Sequence, residues 1–158
     1  MTLLALSITI LLLALLAYRA FQRALRVDRF KSRFQSLYPP SETVTWLARP
    51  GQRPLLAHLY KPSGWHHTDQ RPCIVLFFGG AWRVGSAWQF APFAQRLCAL
   101  GAVVVLPEYR IKSRDRSTVD EAVTDGFAVM NTVRESADCL GIDLARISVG
   151  GGSAGGHL

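Results

Sequence analysis

Cysteine, proline and charged residues are all scarce in this chain of 158 residues. It has 3 Cys, 8 Pro and 18% charged residues, against 49% apolar residues. A chain this apolar and this poor in proline is neither disordered nor collagen-like. Three cysteines are too few, and odd in number, for a disulfide framework. Cys73, Cys98 and Cys139 have aliphatic neighbours, which predicts buried free thiols.

Clustered metal ligands, internal repeats and low-complexity tracts are absent from the sequence as well. No His pair and no Cys/His cluster has the spacing of a metal site. We therefore expect neither a metal nor another cofactor. The length suits one domain with a hydrophobic core of its own.

Positive charge is concentrated in one segment. The chain has 18 Lys+Arg against 11 Asp+Glu, a net charge of +7. Residues 19–33 hold five Arg and one Lys against Asp28 alone, whereas residues 54–158 hold ten basic and nine acidic residues. The larger part of the chain is therefore near neutral, and we expect no nucleic-acid partner.

An apolar run, Leu3–Tyr18, precedes the basic segment. As a helix it would be about 24 Å long, and its flanking residues extend it towards the roughly 30 Å core of a bilayer. No Lys or Arg precedes the run and no small-x-small cleavage site follows it. Residues 1–18 are therefore predicted to be a single-pass membrane anchor, with a signal peptide and a buried core helix as alternatives.

The basic segment, residues 19–40, is predicted to form an amphipathic linker helix. Its apolar residues recur every three to five positions between basic ones, which is typical of a helix on an anionic membrane surface or, equally, of a solvated linker. We expect residues 1–37 to contact membrane lipid. The positive-inside rule places the rest of the chain in the cytoplasm, whereas a signal peptide would make it secreted or periplasmic. Pro39 and Pro40 end the helix at a domain boundary.

From residue 41 onward, strand patterns alternate with helix patterns. Strands are predicted at Thr43–Ala48, Leu55–Tyr60, Cys73–Phe78, Ala102–Leu106 and Arg146–Val149, and helices at Ala87–Leu100 and from Ser117 or Thr118 to Leu140. The last three strands are apolar throughout, which is typical of strands buried on both faces. The pattern predicts an α/β fold, a mostly parallel sheet with helices on both faces.

A G-x-S-x-G sequence, Gly151–Gly155, follows the last predicted strand. A strand that leads into such a sequence and then into a helix is the setting of a nucleophile elbow. Side chains at Gly151 and Gly155 would collide with neighbouring backbone, and the Ala154 N–H would point towards an oxyanion bound at Ser153. The alternative, a phosphate-binding loop, is disfavoured because the Lys of that motif is missing.

A second glycine-rich stretch, residues 77–82, follows the strand Cys73–Phe78. An oxyanion hole needs a further backbone N–H from this position, and small residues let the main chain approach a substrate carbonyl. A plain tight turn would explain the two glycines if they stood alone. Together with the elbow, they indicate an oxyanion loop.

These motifs resemble those of α/β-hydrolases of the hormone-sensitive-lipase and acetyl-esterase type. Phe78–Ser86 resembles the family's H-G-G-G-W-x-x-G-S, and Glu108–Arg110 resembles its D-Y-R. Gly141–Gly156 resembles G-I-D-x-x-R-I-x-x-x-G-x-S-A-G-G, so that the resemblance runs from about Leu55 to Leu158. It implies the α/β-hydrolase fold and an enzyme that hydrolyses carboxylic esters of small molecules through an acyl-enzyme.

The resemblance also implies a role for each matching residue. Ser153 resembles the nucleophile, and Gly80, Ala81 and Ala154 resemble the donors of the oxyanion hole. The supporting positions of the loop and the elbow are Phe78, Gly79, Trp82, Gly151 and Gly155.

Three positions depart from the family pattern. Phe78 replaces the His that normally orders the oxyanion loop, so the loop must be held in another way. Ala81 replaces the third Gly, which keeps the N–H but adds a methyl group beside the acyl group. Gly152 stands where many members have Asp, which removes side-chain hydrogen bonds from the elbow.

The catalytic acid and base of this fold follow the nucleophile on later loops, but only five residues follow Ser153. His157 points back towards the elbow at i+4 and is disfavoured as a base, and His58, His66 and His67 are expected to have surface or packing roles. Asp125 is expected on a solvated helix face and Glu108 at a strand end. We therefore expect a fragment, inactive alone, of a protein roughly twice as long.

Two other functions stay open on the sequence. A serine peptidase of the prolyl-oligopeptidase type shares the G-x-S-x-G-G elbow but relies on a side-chain oxyanion donor. A non-catalytic protein on a hydrolase fold would account for the replaced His and the missing base.

Overall fold

The computed structural model describes residues 15–16 and 32–158. In these ranges, no helix combines the length and the apolar character needed to cross a membrane. The predicted anchor at residues 1–18, apart from Leu15 and Leu16, and the larger part of the predicted linker helix at 19–40 lie outside the described residues. Residues 32–37 are helical, and one compact unit runs from Tyr38 to Leu158.

The compact unit contains each strand and each helix that the sequence predicts. The strands are β1 Glu42–Leu47, β2 Leu55–Tyr60, β3 Arg71–Phe77, β4 Val103–Pro107 and β5 Ile142–Gly151. A 3₁₀ helix, Ala87–Phe90, precedes α1 Ala91–Ala99, and the other helices are α2 Lys112–Asp115, α3 Val119–Glu135, α4 Ala137–Leu140 and α5 Ala154–His157. The helix predicted to continue to Leu140 is divided at Ser136, whose backbone caps the C-terminus of α3.

The five strands form one mixed sheet with the order β1-β2-β4-β3-β5. The sheet is parallel where β3 pairs with β4 and β5 and antiparallel where β2 pairs with β1 and β4. β1 returns directly as β2 through a turn closed by Gln52 N–H and Arg49 C=O at 3.1 Å, and so short a connection permits only antiparallel pairing.

β5 lies at the edge of the sheet, where β3 is its one strand partner among the described residues. The prediction that Arg146–Val149 is buried on both faces was wrong, since Val149 is 59% exposed and Leu144 is 60% exposed. An apolar pattern shows that a strand can be buried but not which strands flank it. The exposed edge agrees with the expectation that this strand lacks a second neighbour.

β3 and β4 form the centre of the core, with Val75 and Val104 completely buried. Cys73 on β3 is also completely buried, and desolvation raises the pKa of its thiol to about 12. The prediction of three buried thiols was wrong for the others, because Cys98 is half-buried and Cys139 is exposed. The two lie on helices, where aliphatic neighbours in sequence point in other directions.

The long helix α3 begins at Thr118, one of the two predicted caps. The Thr118 hydroxyl accepts a hydrogen bond from Glu121 N–H at 3.2 Å, and the Glu121 carboxylate accepts one from Thr118 N–H at 2.8 Å. This capping box satisfies two backbone donors that the first turn leaves free. The backbone N–H of Thr118 also lowers the pKa of the Glu121 carboxyl.

The prediction that Asp125 lies on a solvated helix face was wrong, because its carboxylate is buried, as is that of Glu108 at the predicted strand end. Asp125 on α3 has no exposed surface and Glu108, directly after β4, is 4% exposed. The Asp125 carboxylate accepts hydrogen bonds at 2.9 Å from the guanidinium groups of Arg49 and Arg110. Asp125 therefore joins α3 to the end of β1 and to the segment after β4. The two arginines supply the positive charge that a buried carboxylate needs.

Replacing Asp125 with Asn should lower the free energy of unfolding of the complete gene product by about 3 kcal/mol, because Arg110 would stay partly buried without its counter-charge. Urea unfolding followed by circular dichroism measures this change. The matched control is Asp120→Asn in the exposed first turn of the same helix, which should cost less than about 1 kcal/mol. Equal losses for the two variants would contradict the structural role of Asp125.

Candidate active site

Ser153 occupies a sharp turn between the end of β5 and the start of α5. Its backbone has φ 51° and ψ −116°, a strained conformation for a residue with a side chain. Ser153 is exposed, whereas the following Ala154 and Gly155 are buried. Its Oγ makes no hydrogen bond within the described part of the chain. The turn therefore presents the hydroxyl to solvent at the carboxyl end of the sheet.

The glycines of the elbow stand where a side chain has no room. A Cβ on Gly151 would overlap the backbone of Gly155, and a Cβ on Gly155 would overlap the carbonyl groups of Phe77 and Phe78. These overlaps are with backbone atoms, which a change of rotamer cannot relieve. The tight contact between β3, β5 and α5 thus accounts for the two outer glycines of the motif, as the sequence argument expects.

The loop after β3, residues 78–85, lies against the elbow. A Cβ placed on Gly79 would be 2.7 Å from the carbonyl oxygen of Gly152 and 3.5 Å from Cβ of Ser153. The loop reverses direction through positive φ angles at Gly80 (139°) and Ala81 (52°). Because β3 and β5 are neighbouring parallel strands, the loops at their carboxyl ends meet at one edge of the sheet.

Three backbone N–H groups at this edge are free to bind a ligand. The amides of Gly80, Ala81 and Ala154 donate no hydrogen bond to any acceptor in residues 32–158. Free amides in a turn are the groups from which oxyanion holes are built. The two loops therefore bring Ser153 together with the amides that the sequence predicts to be oxyanion donors.

Phe78 is held by Tyr109, which follows β4. The two rings stack with centroids 4.2 Å apart and planes inclined at 18°, and Phe78 is completely buried. The Tyr109 hydroxyl also donates a hydrogen bond to the Phe78 carbonyl at 2.7 Å. Burial raises the pKa of Tyr109 to about 12, so the hydroxyl stays a proton donor at neutral pH. This apolar stack orders the start of the loop where the family has His.

Gln89, which the sequence argument missed, holds the next residue of the loop. Its Oε1 accepts a hydrogen bond from Gly79 N–H and its Nε2 donates one to Gly79 C=O, both at 3.2 Å. The amide side chain thus satisfies both backbone groups of one glycine. The signal in the sequence was a polar residue two positions after the start of the predicted helix Ala87–Leu100.

The described histidines have other partners. His58 packs against Trp88 with ring centroids 4.2 Å apart and shares a hydrogen bond of 2.9 Å with Thr43. The His157 ring meets the Trp82 ring edge-on at 5.1 Å, which ties α5 to the oxyanion loop. Among the described residues, no three His, Cys, Asp or Glu side chains are grouped closely enough to hold a metal ion.

Comparison with known proteins identifies the family. The sequence profile described as alpha/beta hydrolase fold matches residues 74–158, more than half of the chain. The chain belongs to the α/β-hydrolase fold family. The matched range includes both the oxyanion loop and the elbow, and the resemblance to hydrolases of the esterase type is confirmed.

Among curated proteins, this chain is 33% identical over 103 residues to an AB hydrolase superfamily protein of Schizosaccharomyces pombe. The alignment covers 65% of this chain and 30% of that protein. The chain is 36% identical over 92 residues to the carboxylesterase NlhH of Mycobacterium tuberculosis, which covers 57% of this chain and 28% of that protein. The chain thus spans less than a third of the length of these relatives.

Among solved structures, the fold matches that of a thermophilic esterase from Thermogutta terrifontis with butyrate bound. The TM-score is 0.72 with 37% sequence identity, over 76% of this chain and 43% of that chain. The same esterase phosphorylated by paraoxon matches with a TM-score of 0.73 and 36% identity, over 76% of this chain and 46% of that chain. The architecture and the family of the hydrolase unit are therefore established.

Replacing Gln89 with Leu should speed hydrogen exchange of the Gly79 amide about fivefold, because one net hydrogen bond contributes roughly 1 kcal/mol. Exchange of that amide is followed by nuclear magnetic resonance on the complete gene product. The control is Gln95→Leu, since Gln95 is exposed on α1 and has no contact with the loop in the described structure. Unchanged exchange in Gln89→Leu would show that the side chain does not hold the loop.

Proposed function

We propose that the complete protein is a serine hydrolase that cleaves carboxylic esters of small molecules. The observation that carries the proposal is the contact between the loop after β3 and the elbow at Ser153, with Gly79 packed on Gly152. The same contact brings the loop that carries Gly80 and Ala81 against the turn that holds Ser153 and Ala154. The esterase relatives support ester cleavage as the reaction.

In the proposed reaction, Ser153 Oγ attacks the ester carbonyl carbon and its proton passes to a base. The carbonyl oxygen gains the negative charge and accepts hydrogen bonds from the N–H groups of Gly80, Ala81 and Ala154. Collapse of the tetrahedral intermediate expels the alcohol and leaves an acyl-enzyme, which water then hydrolyses. Removing one such donor from an oxyanion hole costs about 10²–10³ in kcat.

The base and its acid are proposed to lie on loops beyond Leu158, in the chain order of this fold. A serine without a base is a poor nucleophile at neutral pH, so residues 1–158 alone are proposed to be inactive. The unpaired edge of β5, with Val149 largely exposed, is where the following strand would pair.

Short acyl groups are the proposed preference on the acid side of the ester. Ala81, at φ 52°, replaces a glycine of the family motif, and its methyl group is proposed to crowd larger acyl groups beside the amide donors. The solved structure of the Thermogutta terrifontis esterase holds butyrate. The use of backbone rather than side-chain donors favours an esterase over a peptidase of the prolyl-oligopeptidase type.

Attachment to a membrane through residues 1–37, with the hydrolase unit in the cytoplasm, is also a proposal. Its support is the apolar run followed by the basic segment in the sequence. A signal peptide and export remain the alternative.

The nucleophile is tested with a fluorophosphonate probe on the complete gene product. The probe should label Ser153, and Ser153→Ala should abolish labelling and lower hydrolysis of 4-nitrophenyl butyrate by about 10³-fold or more. The control Ser148→Ala removes an exposed serine of β5 and should alter neither the labelling nor the rate of hydrolysis. Full labelling of the Ser153→Ala protein, or none of the wild type, would refute the proposal and favour a non-catalytic protein.

A further inference from the structure

A cleft of about 460 Å³ opens beside the oxyanion loop. Its lining consists of Ala81, Trp82, Arg83, Lys112 and the residues Arg116–Val119. Backbone hydrogen bonds join its walls, from Lys112 N–H to Trp82 C=O at 2.9 Å and from Ser113 N–H to Arg83 C=O at 3.0 Å. Because Ala81 lines the cleft and also carries a proposed oxyanion donor, a group bound here would lie next to the reacting carbonyl.

Three cationic side chains line this cleft and no acidic side chain does. Arg83, Lys112 and Arg116 are all exposed, and none of them forms an ion pair within residues 32–158. Other arginines of the same region are paired, since Arg110 binds Asp125 and Arg114 binds Glu108. The cleft is therefore lined by positive charges that no acidic side chain of residues 32–158 neutralises.

The carboxylates nearest in sequence are already engaged or face elsewhere. Asp115 accepts hydrogen bonds from Arg53 and from Ile111 N–H, and Glu121 binds Arg110 and caps α3. Asp120, in the first turn of α3, is exposed and does not line the cleft. No neighbouring carboxylate therefore neutralises the three cations.

Two buried hydrogen-bond donors in the cleft wall have no partner among residues 32–158. Ser117 is 8% exposed and its Oγ is unpaired, and the indole Nε1 of Trp82 is also buried and unpaired. Buried polar groups almost always have a hydrogen-bond partner, so two unpaired donors in the wall of one cleft indicate a place for a bound group. An indole N–H only donates and a serine hydroxyl can donate, so both suit a ligand oxygen that carries negative charge.

We propose that this cleft binds an anionic group of the ester substrate, a carboxylate or a phosphate. The ligand oxygens would accept hydrogen bonds from Arg83, Lys112 and Arg116 and, deeper in the wall, from Ser117. The substrate class is then an ester that is negatively charged at neutral pH. This inference rests on the proposed esterase function for its catalytic meaning, but the anion site itself is independent of catalysis.

The kinetic test compares mono-4-nitrophenyl adipate, which carries a free carboxylate, with its methyl ester, methyl 4-nitrophenyl adipate, which is uncharged, by release of 4-nitrophenol. On the complete gene product, the anionic ester should have the higher kcat/KM. Lys112→Gln and Arg116→Gln should each lower the ratio of the two kcat/KM values about tenfold, because a charge-assisted hydrogen bond is lost. The control is Arg96→Gln on α1, an exposed cation outside the cleft that forms no ion pair within residues 32–158, and this change should leave the ratio unchanged.

A binding measurement separates the anion site from the esterase activity. Adipate and inorganic phosphate are each titrated calorimetrically into the wild type, Arg116→Gln and Ser117→Ala, and the ligand that binds identifies the kind of anion. Binding to the wild type that weakens in both variants supports the site even if no ester is cleaved. The proposal would be overturned if neither anion bound and the two esters had equal kcat/KM values. It would also be overturned if Arg96→Gln changed the ratio of these values as much as Lys112→Gln and Arg116→Gln do.

Discussion

The parallel pairing of β3 with β5 is the constraint on which the candidate site depends. The register sets Phe77 opposite Gly151, so the two strands end side by side. The loop that follows each strand is then forced into contact with the other, and Gly79 packs on Gly152. Two segments more than seventy residues apart in sequence thereby meet, the loop with two backbone amides and the elbow with one, none of which has a partner within residues 32–158.

The segment after β4 fixes the oxyanion loop in place. Tyr109 stacks on Phe78 and donates to its carbonyl, while its neighbour Arg110 is bound to the buried Asp125 of α3. A hydrogen-bonded cluster of charges in the interior resists displacement, because moving one member leaves another charge buried without a partner. The same segment continues to Lys112, so it connects the core of the domain both to the oxyanion loop and to the proposed anion cleft.

The sequence predicted the elements and the elbow well because those depend on local patterns. Strand alternation, the turn before β2 and the glycines around Ser153 each follow from neighbours in the chain. What could not be predicted depends on partners distant in sequence. Asp125 is buried because Arg49 and Arg110 pair with it. Gln89 bonds to Gly79 only because the loop folds back on the helix that follows it, which the sequence does not reveal. The antiparallel pairing of β2 with β4 and the exposed face of β5 likewise follow from strand order, which local patterns do not contain.

A crystal structure of the complete gene product after reaction with paraoxon tests the central claim most directly. The account predicts phosphorus bound covalently to Ser153 Oγ, with one phosphoryl oxygen about 2.7–3.1 Å from the backbone nitrogens of Gly80, Ala81 and Ala154. Phosphorylation of another residue, or a phosphoryl oxygen directed away from these three amides, would contradict it.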